Sequence, residues 1–301
     1  MTLPPASESQ LRHPWEIPIF IASVVLNLAL IAAAIFIAAR GDAWLRSHHF
    51  LAKYSNQIRA GAIAAILTVP SLALVRNNRL GFIRGNSIRL SKDQFGPVYE
   101  ILAGHCRKLG MTGPPDLYLT DRAISPPAQA FSAWGKDYIV LRTDFLETPI
   151  ENVRDVIAFT LGCELGRLRL GHASWWNDVL LTFISKIPVI RAPLSRVATY
   201  SRDRYGAFLA PDGVRGLLVL ASGRRVLKSV NINAYLTQVS EYGGFWARLA
   251  GAIRTAPHIS YRIQMLWAAG FWSPEHDQNR PARESGAGEP EGLAQEKTAG
   301  A

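Results

Sequence analysis

Cys163, Glu164 and Arg167 are the side chains whose types and spacing first suggest chemistry. They lie in a stretch with apolar Ile157, Leu161, Leu165 and Leu168 at helical spacing, so the segment is expected to be a core helix. On such a helix Cys163 and Arg167, four residues apart, share a face, and Glu164 sits beside them. Metal-dependent hydrolysis uses this arrangement. Two ligands at i and i+4 hold zinc, and the carboxylate next to the first works on a bound water. In this chain cysteine stands at the first ligand position and arginine at the second.

A thiolate can bind zinc, whereas a guanidinium stays protonated and cannot. His172 lies nine residues after Cys163, roughly 180° around the helix, and reads as a structural or surface histidine. Cys163 has no histidine placed by sequence to act as its base, so it reads as a small core residue rather than a nucleophile.

These residues must be positioned by the elements around them. Helices are expected from Ser91-Lys92-Asp93-Gln94 through Phe95, Val98, Ile101, Leu102 and Cys106, and from Thr148-Pro149-Ile150-Glu151 into the Cys163 segment. Further helices are expected from Ser195 to Gly206, from Val214 to Leu220 after a Pro211-Asp212-Gly213 turn, and from Ser260 to Gly270. In the last of these Ile263, Leu266 and Trp267 should face inward. The stretch from Trp175 to Ile190 is apolar but interrupted, and reads as a packed or membrane-grazing helix. Strands are expected at Pro114–Leu119 and, joined by a glycine-containing turn, within Ala130–Leu141.

The N-terminal part has a different character. Ile17 to Ala39 gives 23 uncharged, mostly apolar positions, about 34 Å of helix, enough to cross a bilayer. Ala60 to Val75 gives a further 16 between Arg59 and Arg76, interrupted by Pro70. It can span if both arginines snorkel to the interfaces, or it can lie in the interface. The expected organisation is a flexible tail over 1–16, a transmembrane helix over 17–39, a loop over 40–59 and a second transmembrane or interfacial helix over 60–75. A juxtamembrane segment over 76–86, a folded domain over 87–273 and a disordered tail over 274–301 follow. Six basic residues in the tail and post-hairpin segment against four in the loop favour a cytoplasmic main domain.

Composition agrees with a membrane protein. Of the 301 residues 49% are hydrophobic, and 33 Lys and Arg against 23 Asp and Glu give a net charge of +10. The basic residues are scattered and no nucleic-acid motif accompanies them, so lipid headgroups are the expected counter-charge and nucleic acid is not. Two cysteines provide no disulfide framework.

Taken together, five segments resemble the membrane metallopeptidase family that includes HtpX and the zinc CAAX prenyl proteases. They are Ser87–Ser91, Ala130–Gly135 with Ile139–Leu141, Cys163–His172, Ser195–Asp203 and Ser260–Leu266. The resemblance implies an α+β, mainly helical gluzincin-type domain with a small sheet, preceded by a two-helix transmembrane hairpin. It places the family's three zinc ligands at Cys163, Arg167 and Thr199, its general base at Glu164 and its supporting aspartate at Asp203. Because all three ligand positions depart from the family, it implies a relic site that holds no cofactor, with Arg167 bridging Glu164 and Asp203 in place of zinc. It also implies an edge strand, Ala130, Phe131, Ser132, Ala133 and Trp134, along which the family binds extended peptide. The expected function is a membrane-anchored pseudopeptidase that binds a polypeptide or membrane-protein partner. The alternatives are an active zinc endopeptidase with an unusual ligand set and a structural subunit of a membrane complex.

Overall fold

A computed structural model describes residues 8–121, 128–146, 150–218, 254–273 and four residues between 231 and 237. The expected capping residues 148–149, the end of the helix expected to reach Leu220, and the tail over 274–301 lie outside the described residues.

Two helices dominate the N-terminal half, α2 (Glu16–Ser47) and α4 (Ser55–Asn86). Each is long and apolar enough to cross a membrane, and only 11% and 6% of their apolar windows are buried. A core helix of a soluble domain would hide its apolar surface, whereas these expose Ile21, Val25, Leu67 and Leu74. At 32 residues each they reach about 48 Å, well beyond a hydrocarbon core of about 30 Å. Most of the expected loop over 40–59 is therefore helix, with a short α3 (His49–Ala52) at the turn. Arg59 donates to the Ala38 carbonyl at 3.1 Å, which ties the two helices near that turn.

The expected juxtamembrane segment 76–86 is the last part of α4, and it is structural. Leu80 and Ile83 pack on Tyr118, Phe131, Tyr138 and Val140, one face of a four-stranded sheet. The strands are β1 (Ile88–Leu90), β2 (Asp116–Thr120), β3 (Ala128–Ala133) and β4 (Lys136–Arg142), in the order β1-β2-β4-β3. The β2–β4 pair is parallel and the other two are antiparallel. Alternation along each strand sends Leu117, Leu119, Ile139 and Leu141 to the opposite face. There they meet Val98 and Leu102 of α5 (Gly96–Lys108) and Ile157, Leu161 and Leu165 of α6 (Ile150–Arg169). The sheet is thus a middle layer between α4 and the α5–α6 pair, and the end of the long apolar helix α4 forms part of the domain core.

α5 starts later than its apolar spacing suggests. Ser91 and Gln94 bond each other in a turn, Phe95 takes a left-handed conformation (φ 58°), and the helix begins at Gly96-Pro97. Within the expected tail over 1–16, residues 8–16 are folded. The single turn α1 (Glu8–Leu11) packs on α8 (Pro188–Leu209), and Leu11 is buried with Leu170 and Tyr205. The stretch 175–190 is a short α7 (Trp175–Leu180), a 3-10 turn and the start of α8 rather than one helix. It lies against α2, where buried Asn27 accepts from the amides of Phe183 and Ile184 at 2.9 and 3.3 Å. In α9 (Ile259–Ala268) Ile263 and Leu266 are buried, but Trp267 faces out, because the core of α6, α8 and α9 closes before reaching it.

α6 and α8 approach at glycines. A Cβ at Gly166 would lie 2.6 Å from Tyr205 Cβ, and one at Gly206 would lie 2.5 Å from Cys163 Sγ. Alanine improves helix propensity by roughly 1 kcal/mol, but overpacking against a Cβ fixed by its own helix costs about 1–3 kcal/mol. Gly166→Ala is therefore expected to lower stability by about 1–2 kcal/mol, read as a lower unfolding midpoint in detergent micelles. An unchanged or raised midpoint would show that the two helices part easily.

Candidate functional site

The site lies where α6, α8 and α9 converge. Cys163, Glu164 and Arg167 come from consecutive turns of α6, and Thr199 and Asp203 from one face of α8. Glycine contact between these helices brings them within reach of one another. Cys163 Sγ lies 3.8 Å from Asp203 Oδ1, its thiol donating to the carboxylate. Glu164 Oε2 lies 4.0 Å from Arg167 Nη1.

The expected bridge by Arg167 is only half present. Arg167 stands by Glu164, but Asp203 is claimed by Arg262 of α9 through paired bonds of 2.7 and 2.6 Å. Asp203 is 1% exposed as a side chain and Arg262 17%, so a planar guanidinium in fork geometry meets a desolvated carboxylate. Burial alone would lower the pKa of Arg262, but the charge and hydrogen bonds of Asp203 outweigh it and hold the cation more firmly protonated than usual. Burial lowers the pKa of Arg167, and the Glu164 charge opposes this. The role expected of one arginine is divided between two.

The first ligand position does not suit a metal. Burial, then the charge of Asp203, pushes the Cys163 thiol well above its ordinary pKa, which disfavours a free thiolate nucleophile. Thr199 is equally engaged. Its hydroxyl donates to the Ser195 carbonyl at 2.8 Å and accepts from Arg202 Nη2 at 2.8 Å. Among the described residues no three His, Cys, Asp or Glu side chains gather as a metal set. A protonated thiol, a guanidinium and a saturated hydroxyl do not fit the zinc ion that the resemblance carries, and no hydrolytic step is derived through one.

Glu164 has a further partner. Its Oε2 accepts from the Ala130 amide at 2.6 Å, an outward-facing group of edge strand β3. The next outward amide, Ser132, donates to the Ala173 carbonyl at 3.0 Å. Arg76 of α4 closes the same edge. Its Nε donates to the Ser132 carbonyl at 2.7 Å, and its other nitrogens bond Ser132, Ala173 and Asp178. Ala130, Phe131 and Ala133 are buried, with Phe131 stacked on Tyr138 and under Arg79. The five positions 130–134 thus form an internally paired edge rather than an open shelf. Only Trp134 protrudes, 78% exposed at the hairpin tip with φ 52°.

Two residues that sequence reasoning passed over complete the site. Arg262 had one signal, its place in the Ser260–Leu266 segment. Glu16, at the first turn of α2, is buried and accepts from Ser201 and from His172 Nε2, the latter at 3.0 Å. His172 is therefore structural. Burial lowers its pKa, against the hydrogen bond to Glu16, and it fastens the end of α6 to the membrane helix.

Breaking the Arg262–Asp203 pair by removing one partner should be costly, because the other charge stays buried. Asp203→Asn is expected to lower stability by about 3–5 kcal/mol, and Asp203→Leu with Arg262→Met by much less. Chemical unfolding of the four members of the double-mutant cycle checks this, and additive losses would deny the coupling.

Comparison with protein-family models, with curated proteins and with solved structures found no match for this chain.

Proposed function

We propose that this chain is a membrane-anchored pseudopeptidase: a gluzincin-type helix pair, similar in layout to the HtpX and CAAX protease family, that binds a polypeptide or membrane-protein partner without cutting it. The observation that supports this most directly is the internal neutralisation of both carboxylates. Glu164 is held by the Ala130 amide and Arg167, and Asp203 by Arg262 and Cys163. A general base must reach a water or substrate proton, and a zinc-bound water needs an open coordination position. Here donors of the protein itself fill both places.

The test is elemental analysis of detergent-purified protein beside a cleavage assay on an unfolded polypeptide. No stoichiometric transition metal and no cleavage are expected. Replacing Cys163 and Arg167 by His and Thr199 by Glu together, with recovery of zinc, would support the alignment of the helix pair. Stoichiometric zinc in the unaltered chain, lost on Cys163→Ser, would instead favour an endopeptidase with an unusual ligand set.

The paired β3 edge favours a second reading, a structural subunit of a membrane complex. Strand addition along β3 must first displace Arg76 and the Ser132–Ala173 bond. If partners dock there, Arg76→Ala should raise affinity for a labelled unfolded polypeptide several-fold in an anisotropy titration. If the chain is structural, the same change should lower stability and leave that affinity unchanged.

A further inference from the structure

A chamber of about 490 Å³ lies under the carboxylate network, between the start of α2, Leu72 of α4, the end of α6, α7 and the first half of α8. Its lining combines apolar and cationic side chains. Ile17, Phe20 and Leu72 of the membrane helices supply an apolar side, with Leu194 of α8. Arg12, Arg167, Arg191 and Arg202 supply a cationic side.

Two carboxylates, Glu16 and Asp178, also line the space, leaving a formal surplus of two positive charges (four minus two). Both carboxylates are already engaged, Glu16 by His172 and Ser201 and Asp178 by Arg76. None of the four arginines has a carboxylate oxygen nearer than 3.7 Å among the described residues. Arg191 and Arg202 bond only backbone carbonyls and Thr199. Arg202 lies close enough to Arg167 for its charge to disfavour the Arg167 cation, while Glu164 and Asp178 favour it. Arg202, half-buried and with no carboxylate partner among the described residues, is the cation best placed to take an added anion.

Trp15, at the start of α2, Trp176, in α7, and Trp134, two residues from the Ser132–Arg76 contact, are 64%, 67% and 78% exposed. Exposed tryptophans at one end of a spanning hairpin mark the membrane–water interface. An interface at these tryptophans would set the arginines at headgroup depth.

We propose that this chamber binds an anionic phospholipid, its phosphate between Arg167 and Arg202 and an acyl chain along Ile17, Phe20 and Leu72. Guanidinium forks match phosphate oxygens in pairs, and the volume lies within the usual range for small-molecule sites. A zwitterionic or uncharged lipid would bring less net charge to the arginines, and a free phosphate ion would leave the apolar wall uncovered. The proposal stands on the walls of the chamber and does not depend on the pseudopeptidase reading.

The test is native mass spectrometry of the full chain, released from micelles containing equal amounts of phosphatidylglycerol and phosphatidylcholine. One retained phosphatidylglycerol per chain is expected, about tenfold over phosphatidylcholine, a difference of about 1.4 kcal/mol. Arg202→Gln should reduce that adduct about tenfold and leave phosphatidylcholine adducts unchanged, with Arg202→Lys restoring part of it. Leu194→Trp should also reduce it, by filling the apolar side. Arg202 contributes no partner to a buried carboxylate, so its variants are expected to fold, and Arg191→Gln offers a second test at an exposed position. Equal retention of the two lipids, indifference to all three positions, or displacement of phosphatidylglycerol by inorganic phosphate at equal concentration would overturn the proposal.

Discussion

Three carboxylates, Glu16, Glu164 and Asp203, are buried in the helix packing, and the domain is arranged around their neutralisation. An unpaired buried charge costs several kcal/mol, so each needs a donor delivered by another element. Asp203 of α8 draws Arg262 from α9, Glu164 of α6 draws the Ala130 amide from β3, and Glu16 of α2 draws Ser201 from α8 and His172 from beyond α6. Each contact crosses between elements far apart in sequence. Together they fix the membrane hairpin, the sheet and the helix pair in one geometry.

The same constraint bears on the proposed loss of chemistry at the site. A carboxylate that polarises water must keep a lone pair for it, and a thiolate must be exposed to a positive potential. Glu164 Oε2 is taken up by the edge strand and by Arg167, and Cys163 donates its proton to Asp203. The close approach of α6 and α8 at Gly166 and Gly206 leaves little room for relaxation, since interiors packed to this density shift in steps rather than gradually. What remains open is the chamber lined by Arg12, Arg167, Arg191 and Arg202.

Arg76 connects these layers. It leaves the spanning part of α4, closes the β3 edge and holds Asp178 of α7. The residues beyond it, Leu80 and Ile83, cover the sheet. A long apolar helix whose end doubles as a core helix makes the hairpin and the domain one folding unit, so a substitution in either is felt in both.

Much of this was legible in the chain, and unevenly. The two long apolar helices, the β3–β4 hairpin, and the placement of Cys163, Glu164 and Arg167 on one helix follow from local patterns, because hydrophobic length and periodicity are properties of neighbouring residues. The expected ends failed where a distant partner decides them. The loop after Ala39 is helix because α2 and α4 pack on each other, the tail before Glu16 is ordered because α8 receives it, and Trp267 points outward because the core was already filled. The residue types at the site were plain from the outset and already ruled out three ordinary zinc ligands. Only the tertiary structure could assign the counter-ions, giving Asp203 to Arg262 rather than Arg167 and the β3 edge to Glu164 and Arg76. Such a pairing is decided by which desolvated charge lies nearest in space, and separations of 59, 34 and 56 residues leave no periodic trace in the sequence.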